Sequence, residues 1–203
     1  MLLFEGFIGI LGNLNDKQTK YLKNISFSGN HLLNLIQDIL DISKIEAGKL
    51  GFTYEKFSVP STVTEVVLSM SDFAATKKVS VTVNNNGVSL ITADRTKFKQ
   101  ILYNLLHNSL KFSAKNGYVK IHTQIIDDML ELCVRDNGVG IPEDKIGHLF
   151  DCFYQVDTSS SRRYGGAGLG LTLVRQFADM HGGNVHVESK ESVGTTVYVH
   201  IPK

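Results

Sequence analysis

From Lys17 to Ala47 apolar residues return at helical intervals, through Leu22, Ile25, Leu32, Leu33, Leu35, Ile36, Ile39, Leu40 and Ile42. Gly48 and Lys49 then supply a stop. This spacing predicts a long amphipathic helix. Phe4, Phe7, Ile8 and Leu11 predict a shorter helix before it, joined through Gly12-Asn13-Leu14-Asn15-Asp16 with Asp16 as the cap. The two form a hairpin of unequal arms, because about 12 residues make roughly 18 Å of helix and about 30 make roughly 45 Å. The unmatched end, from Leu35 to Ile45, is expected to face water unless another chain covers it.

A second pattern begins near residue 50. Pro60 to Thr76 reads as one helix, with Val63, Val66, Val67, Met70 and Phe73 on a single face, and Asp94 to Phe112 reads as another. Strand-like alternation follows at Val79, Val81 and Val83, at Val119, Ile121 and Ile125, and at Leu130, Leu132 and Val134. It returns at Val185 and Val187 and at Val197, Val199 and Ile201. Asn84-Asn85-Asn86-Gly87 and Asp127-Asp128 are turn signals, the second joining two strands as a hairpin. Strands and helices mixed without a βαβ rhythm predict an α+β two-layer sandwich, with helices on one face of a largely antiparallel sheet. From Glu143 to Ala167, turn formers and Ser159-Ser160-Ser161 predict a long mobile loop.

Composition narrows the function. With 203 residues, 42% of them hydrophobic, the chain can bury one good core and a smaller appendage. Twenty-one basic residues against twenty acidic ones leave no basic stripe, which argues against nucleic acid as a partner. Cys133 and Cys152 lack a CxxC or Cys/His neighbourhood, so they read as small buried hydrophobes in a reducing, cytoplasmic compartment. The apolar start from Met1 to Leu11 is much shorter than the ~20 residues of a membrane span, and no membrane segment is expected in the chain.

Three stretches carry candidate chemistry. On the helix ending at Phe112, Asn104, Asn108 and Lys111 fall at i, i+4 and i+7 and share a face. Two amides and an ammonium there suit a nucleotide's phosphates and Mg²⁺, although alone such a stripe also fits a solvated helix face. Asp136-Asn137-Gly138-Val139-Gly140-Ile141-Pro142 ends a strand, where a carboxylate can accept from an exocyclic amine; an ordinary strand-to-helix turn reads the same way. Gly165-Gly166-Ala167-Gly168-Leu169-Gly170-Leu171 opens a helix whose exposed amides form an anion site. Leu171 stands where a Walker loop needs lysine, and neither glycine stretch has the dinucleotide spacing.

Taken in this order, the stretches resemble the GHKL superfamily and, within it, the sensor histidine kinases. Asn104 to Phe112 is similar to the family's N box, Asp136 to Gly140 to its first glycine box, and Gly166 to Leu171 to its second, with Leu149-Phe150-Asp151-Cys152-Phe153 resembling the F box between them. Asp41 to Lys49 resembles the end of the second helix of the family's dimerisation hairpin. The resemblance implies a hairpin at 1–49 and a Bergerat-type ATP-binding domain at 50–203. It implies that Asn108 holds Mg²⁺, that Asn104 and Lys111 contact phosphates, that Asp136 binds the adenine amine and that Phe112 lies near the ring. Gly138, Gly140, Gly166, Gly168, Leu169 and Gly170 would shape the pocket, with Arg162 or Arg163 as lid contacts. Gln155 stands where some relatives carry arginine.

Members that hydrolyse ATP, such as the Hsp90, gyrase and MutL proteins, place a glutamate at position 104 to activate water. Asn104 cannot accept that proton, and Lys111 replaces an aspartate common in those relatives, so phosphoryl transfer is expected over hydrolysis. The family's acceptor histidine precedes an acidic residue and, four further on, a proline. None of the seven histidines matches, His31 reading as a helix-surface residue, and the acceptor is expected before Met1 in a longer parent. The resemblance implies a homodimer through the hairpin and a response-regulator receiver domain as partners. A catalytically idle nucleotide-sensing module and a GHKL ATPase are the alternatives.

Overall fold

The computed structural model describes residues 14–156 and 167–203. The predicted first helix at Phe4 to Leu11 lies outside the described residues. Helix α1, Asp16–Glu46, opens on a reciprocal cap: the Asn15 side chain accepts from the Gln18 N–H at 2.9 Å and the Gln18 side chain accepts from the Asn15 N–H at 2.9 Å. Asn15 therefore takes the cap expected of Asp16, because its amide reaches the third helical N–H. The helix ends in a Schellman turn, in which Gly48 at φ 63° lets the Lys49 N–H reach Lys44 O at 2.8 Å and its own N–H reach Ile45 O at 2.9 Å.

The chain divides into two compact units, one up to Leu40 and one from Asp41 to Lys203. Along the first, Tyr21, Ile25, Leu32, Leu33, Ile36, Ile39 and Leu40 are exposed, Ile25 by 67%. In the second, Ile42, Ile45, Leu50 and Phe52 pack against the hydrophobic core. This corrects the expected water-facing end at Leu35 to Ile45: the bare stripe starts earlier, at Tyr21, and stops at Leu40.

Within the second unit, β1 (Glu55–Ser58) leads into α2 (Val59–Ser69), where the Ser58 hydroxyl caps Ser61 and Pro60 occupies the first turn. Helix α3 is Ser71–Lys77. The single helix predicted over Pro60 to Thr76 is thus two, broken at the buried Met70. There the Met70 N–H bonds Val67 O, while the Ser69 and Ser71 hydroxyls donate to Val66 O and Leu68 O, drawing carbonyls out of the helical ladder.

Strands β2 (Ser80–Asn85), β4 (Tyr118–Ile126), β5 (Met129–Asp136), β6 (Asn184–Lys190) and β7 (Gly194–Pro202) form one sheet in the order β2-β4-β5-β7-β6. Among the described residues only the β2/β4 pair is parallel. Between β4 and β5, Asp127 and Asp128 both take positive φ, the requirement of the tightest hairpin turn. β3 (Leu90–Ala93) pairs with β1 in a separate two-stranded sheet, a pairing too short to leave a periodic signature.

Helix α4 (Arg95–Phe112) and helix α6 (Gly170–Met180) cover the sheet. Leu102, Leu105, Leu106 and Leu110 of α4 and Phe177 of α6 are fully buried in one core with Leu130, Leu132, Val199 and Ile201 of the sheet. A short helix α5, Glu143–Ile146, lies inside the stretch expected to be loop throughout.

Candidate functional site

Asp94 caps α4 by accepting from the Lys97 N–H at 3.0 Å, and it ties the helix start to other segments by accepting from the Thr53 N–H at 2.9 Å and donating its own N–H to His181 Nε2 at 3.2 Å. Asn104, Asn108, Lys111 and Phe112 are partly exposed along the polar face of α4. Helix α6 brings its N-terminus to the same place. A Cβ added to Gly170, its first residue, would lie 3.5 Å from the Asn104 carboxamide. The Asn104 Nδ2 is buried without a hydrogen-bond partner. The Asn104 atoms nearest Gly170 are its carboxamide carbon and oxygen, so the backbone N–H groups of the 11-residue α6 open beside that side chain and are donors of the kind that suit an anionic oxygen.

Asp136, the last residue of β5, is 8% exposed. Its Oδ2 accepts from the Ser109 hydroxyl at 2.9 Å, and its Oδ1 accepts from the Gly138 N–H at 2.9 Å and the Thr195 N–H at 3.2 Å. Burial pushes its pKa up; these three donors pull the other way and favour the carboxylate. Gly138 is dictated by the chain itself, because a Cβ there would meet Phe112 O at 2.6 Å. The backbone after Asp136 is thereby pressed onto the end of α4, with the Val139 N–H donating to Phe112 O at 3.3 Å.

Lys111 is half-buried, its ammonium 4.7 Å from the centre of the Phe112 ring. Desolvation lowers its pKa, and the nearby Lys77 charge lowers it further. Gly140 at φ 66° and Gly168 at φ 72° take the left-handed backbone that glycine allows, and a Cβ on Gly168 would strike Tyr154 O at 2.6 Å. The Leu169 side chain is buried, which leaves only its backbone to face a ligand. Arg162, Arg163 and Gly166 lie outside the described residues.

Asn104, Asn108, Lys111, Phe112, Asp136, Gly138 and the start of α6 are thus gathered at the C-terminal half of α4. Ser109 and Thr195 were not singled out from sequence. Ser109 sits among the leucines of the buried α4 face, and a lone hydroxyl there demands a partner, which is the signal that could have found it. Thr195 acts through its backbone N–H and carries no such signal. Cys133 is partly buried, its thiol pushed up to about 11, whereas Cys152 is exposed, contrary to the expectation that both are buried. Among the described residues no group of three or more His, Cys, Asp or Glu could hold a metal, and no helix is long and apolar enough to cross a membrane.

Residues 93–203 match the family described as histidine kinase-, DNA gyrase B-, and HSP90-like ATPase. The chain belongs to that family. Residues 3–48 match the His Kinase A (phospho-acceptor) domain. The chain is 40% identical over 195 residues to the circadian input-output histidine kinase CikA of Synechococcus elongatus, covering 95% of this chain and 26% of that protein. It is 40% identical over 189 residues to the uncharacterized sensor-like histidine kinase R01002 of Rhizobium meliloti, covering 93% and 36%. It therefore spans about a quarter to a third of the length of these relatives. Among solved structures, full-length ShkA in complex with AMPPNP superposes with a TM-score of 0.80 at 27% identity, over 94% of this chain and 40% of that one. The two-layer α+β architecture with its largely antiparallel sheet is that of this ATPase family, as the sequence implied.

Proposed function

We propose that this chain is the ATP-binding core of a two-component sensor histidine kinase together with part of its dimerisation hairpin, without the acceptor histidine. The observation that carries the reading is that a buried carboxylate held by three donors, Asp136, and an Asn104 side chain whose buried Nδ2 has no partner both adjoin α4, the second close to the N-terminus of α6. The first is a fixed acceptor suited to the adenine amine. The second, with Lys111 and the α6 amides, is a set of donors suited to phosphate oxygens. Phe112 closes α4 beside the chain that follows Asp136 and can flank the base.

Because the described residues offer no carboxylate cluster, Mg²⁺ would be held by the Asn108 amide oxygen together with the phosphates, and there it would offset phosphate charge. Asn104 supplies no base for water, which favours transfer over hydrolysis. In the complete protein the phosphoryl group would pass from ATP to a histidine and then to an aspartate of a response-regulator receiver domain. The histidine kinase names of its relatives and the AMPPNP bound by ShkA support this reading. The exposed Tyr21 to Leu40 stripe suits a homodimer in which two such helices pack together, and a cytoplasmic site of action fits the ATP requirement.

Titration of ATP with and without Mg²⁺ tests the assignment. Asp136→Ala should lose affinity in both conditions, and Asn108→Ala should lose mainly the difference between them. Unchanged binding in both variants would place the pocket elsewhere.

A further inference from the structure

We infer that Lys77, at the end of α3, is a second cation for the nucleotide's phosphate chain, acting beside Lys111. The inference rests on the nucleotide-binding reading above. The Lys77 Nζ donates to Lys111 O at 3.3 Å, so the end of α3 is tied to the end of α4 where the polar face stops. Each ammonium lies over a ring: Lys77 is 5.9 Å from the centre of Phe73 and Lys111 is 4.7 Å from that of Phe112. Phe73 in turn stacks on His107 of α4, with centroids 5.5 Å apart and planes 15° apart. The Phe73–His107 stack carries the Lys77 ammonium and the Phe112 ring carries that of Lys111, so each is placed before any ligand arrives.

His107 and Lys111 are four residues apart, so they lie on one edge of the α4 face that carries Asn104 and Asn108. Lys77 stands along that edge. Both lysines are partly withdrawn from water, and Lys77 is near enough for its charge to depress the Lys111 pKa. Two ammonium groups so placed repel, and a polyanionic phosphate chain reaching both converts that repulsion into attraction. A second cation at this edge should make affinity depend on how many phosphates the ligand carries. A bare role in capping the last carbonyls of α4 should affect stability alone.

The test uses the full chain and titrates ATP, ADP and AMP, each with Mg²⁺, against wild type, Lys77→Gln and Lys77→Arg. Thermal unfolding without nucleotide is measured in parallel. Lys77→Gln should weaken ATP about tenfold and AMP less than about twofold, flatten the salt dependence of ATP binding, and be largely rescued by Lys77→Arg. Unchanged ATP binding in Lys77→Gln, or equal loss for ATP and AMP, overturns the inference. A lower melting temperature with an unchanged ratio of ATP to AMP affinity assigns Lys77 to capping and overturns it as well. Wild type that binds none of the three nucleotides overturns the nucleotide reading itself, and this inference with it.

Discussion

The protein completes the two ends of its site to different degrees. At Asp136 every strong contact is made internally: one hydroxyl and two backbone N–H groups hold a buried carboxylate as an acceptor. At Asn104 the buried Nδ2 has no hydrogen-bond partner. An unmet buried donor costs about 1–3 kcal/mol, and a ligand oxygen can relieve that cost. On the proposed reading one end would select by a rigid, pre-formed geometry, and the other would gain from being filled. Selectivity for the base and affinity for the phosphates should therefore respond differently to mutation.

The largest effect is expected from Asp136→Asn. Nucleotide affinity should drop about 100-fold in calorimetry, because an amide cannot accept from the ligand as a carboxylate does. Stability should move the other way. Burial raises the Asp136 pKa, so the stability this group contributes is present below its unfolded pKa and is lost as pH rises through the folded value. A neutral amide should keep or raise the melting temperature at pH 7, and a clear fall would contradict this account.

Asn104→Ala comes next. It should weaken ATP about tenfold while leaving adenosine nearly unchanged, with little loss of stability because the Nδ2 that is removed abandons no protein partner. Equal loss for adenosine would erase the distinction between the two ends. Ser109→Ala is a smaller change at the first end. Removing one donor should raise the Asp136 pKa further and weaken the base about threefold, with the acid limb of binding moved to higher pH.

The smallest effect concerns the frame that both ends share. His181 donates from Nδ1 to Phe177 O at 2.7 Å and accepts at Nε2 from the Asp94 N–H at 3.2 Å, so it joins the end of α6 to the start of α4. Burial lowers its pKa. Its contribution is therefore full above the unfolded value and is lost as pH falls through the folded one. Between about pH 7 and pH 5 the melting temperature should fall more steeply in wild type than in His181→Gln. Parallel curves would show that the ring does not titrate in this way.

Much of this was legible before the structure. The i, i+4, i+7 stripe of Asn104, Asn108 and Lys111 is a local property of one helix, and Asp136 followed by two glycines is a local property of one strand end. Short-range geometry settles both, so periodicity could place them. Ser109 was passed over because a helix-face argument ranks residues by exposure, and its role depends on a strand 27 residues away. The break at Met70 escaped for a similar reason: apolar spacing continues through it, and serine hydroxyls decide it.

Residue order alone was enough to establish the layers, the polar face of α4 and the family resemblance, since each depends on repeats within a few turns of chain. It could not tell which isoleucines of α1 are covered, because that depends on Ile42 and Ile45 meeting a core built mostly from residues far along the chain. Nor could it show that Gly138 answers to Phe112 O, or that Thr195 and Ser109 meet on one carboxylate. Those are facts of packing, where distant segments compete for the same few ångströms.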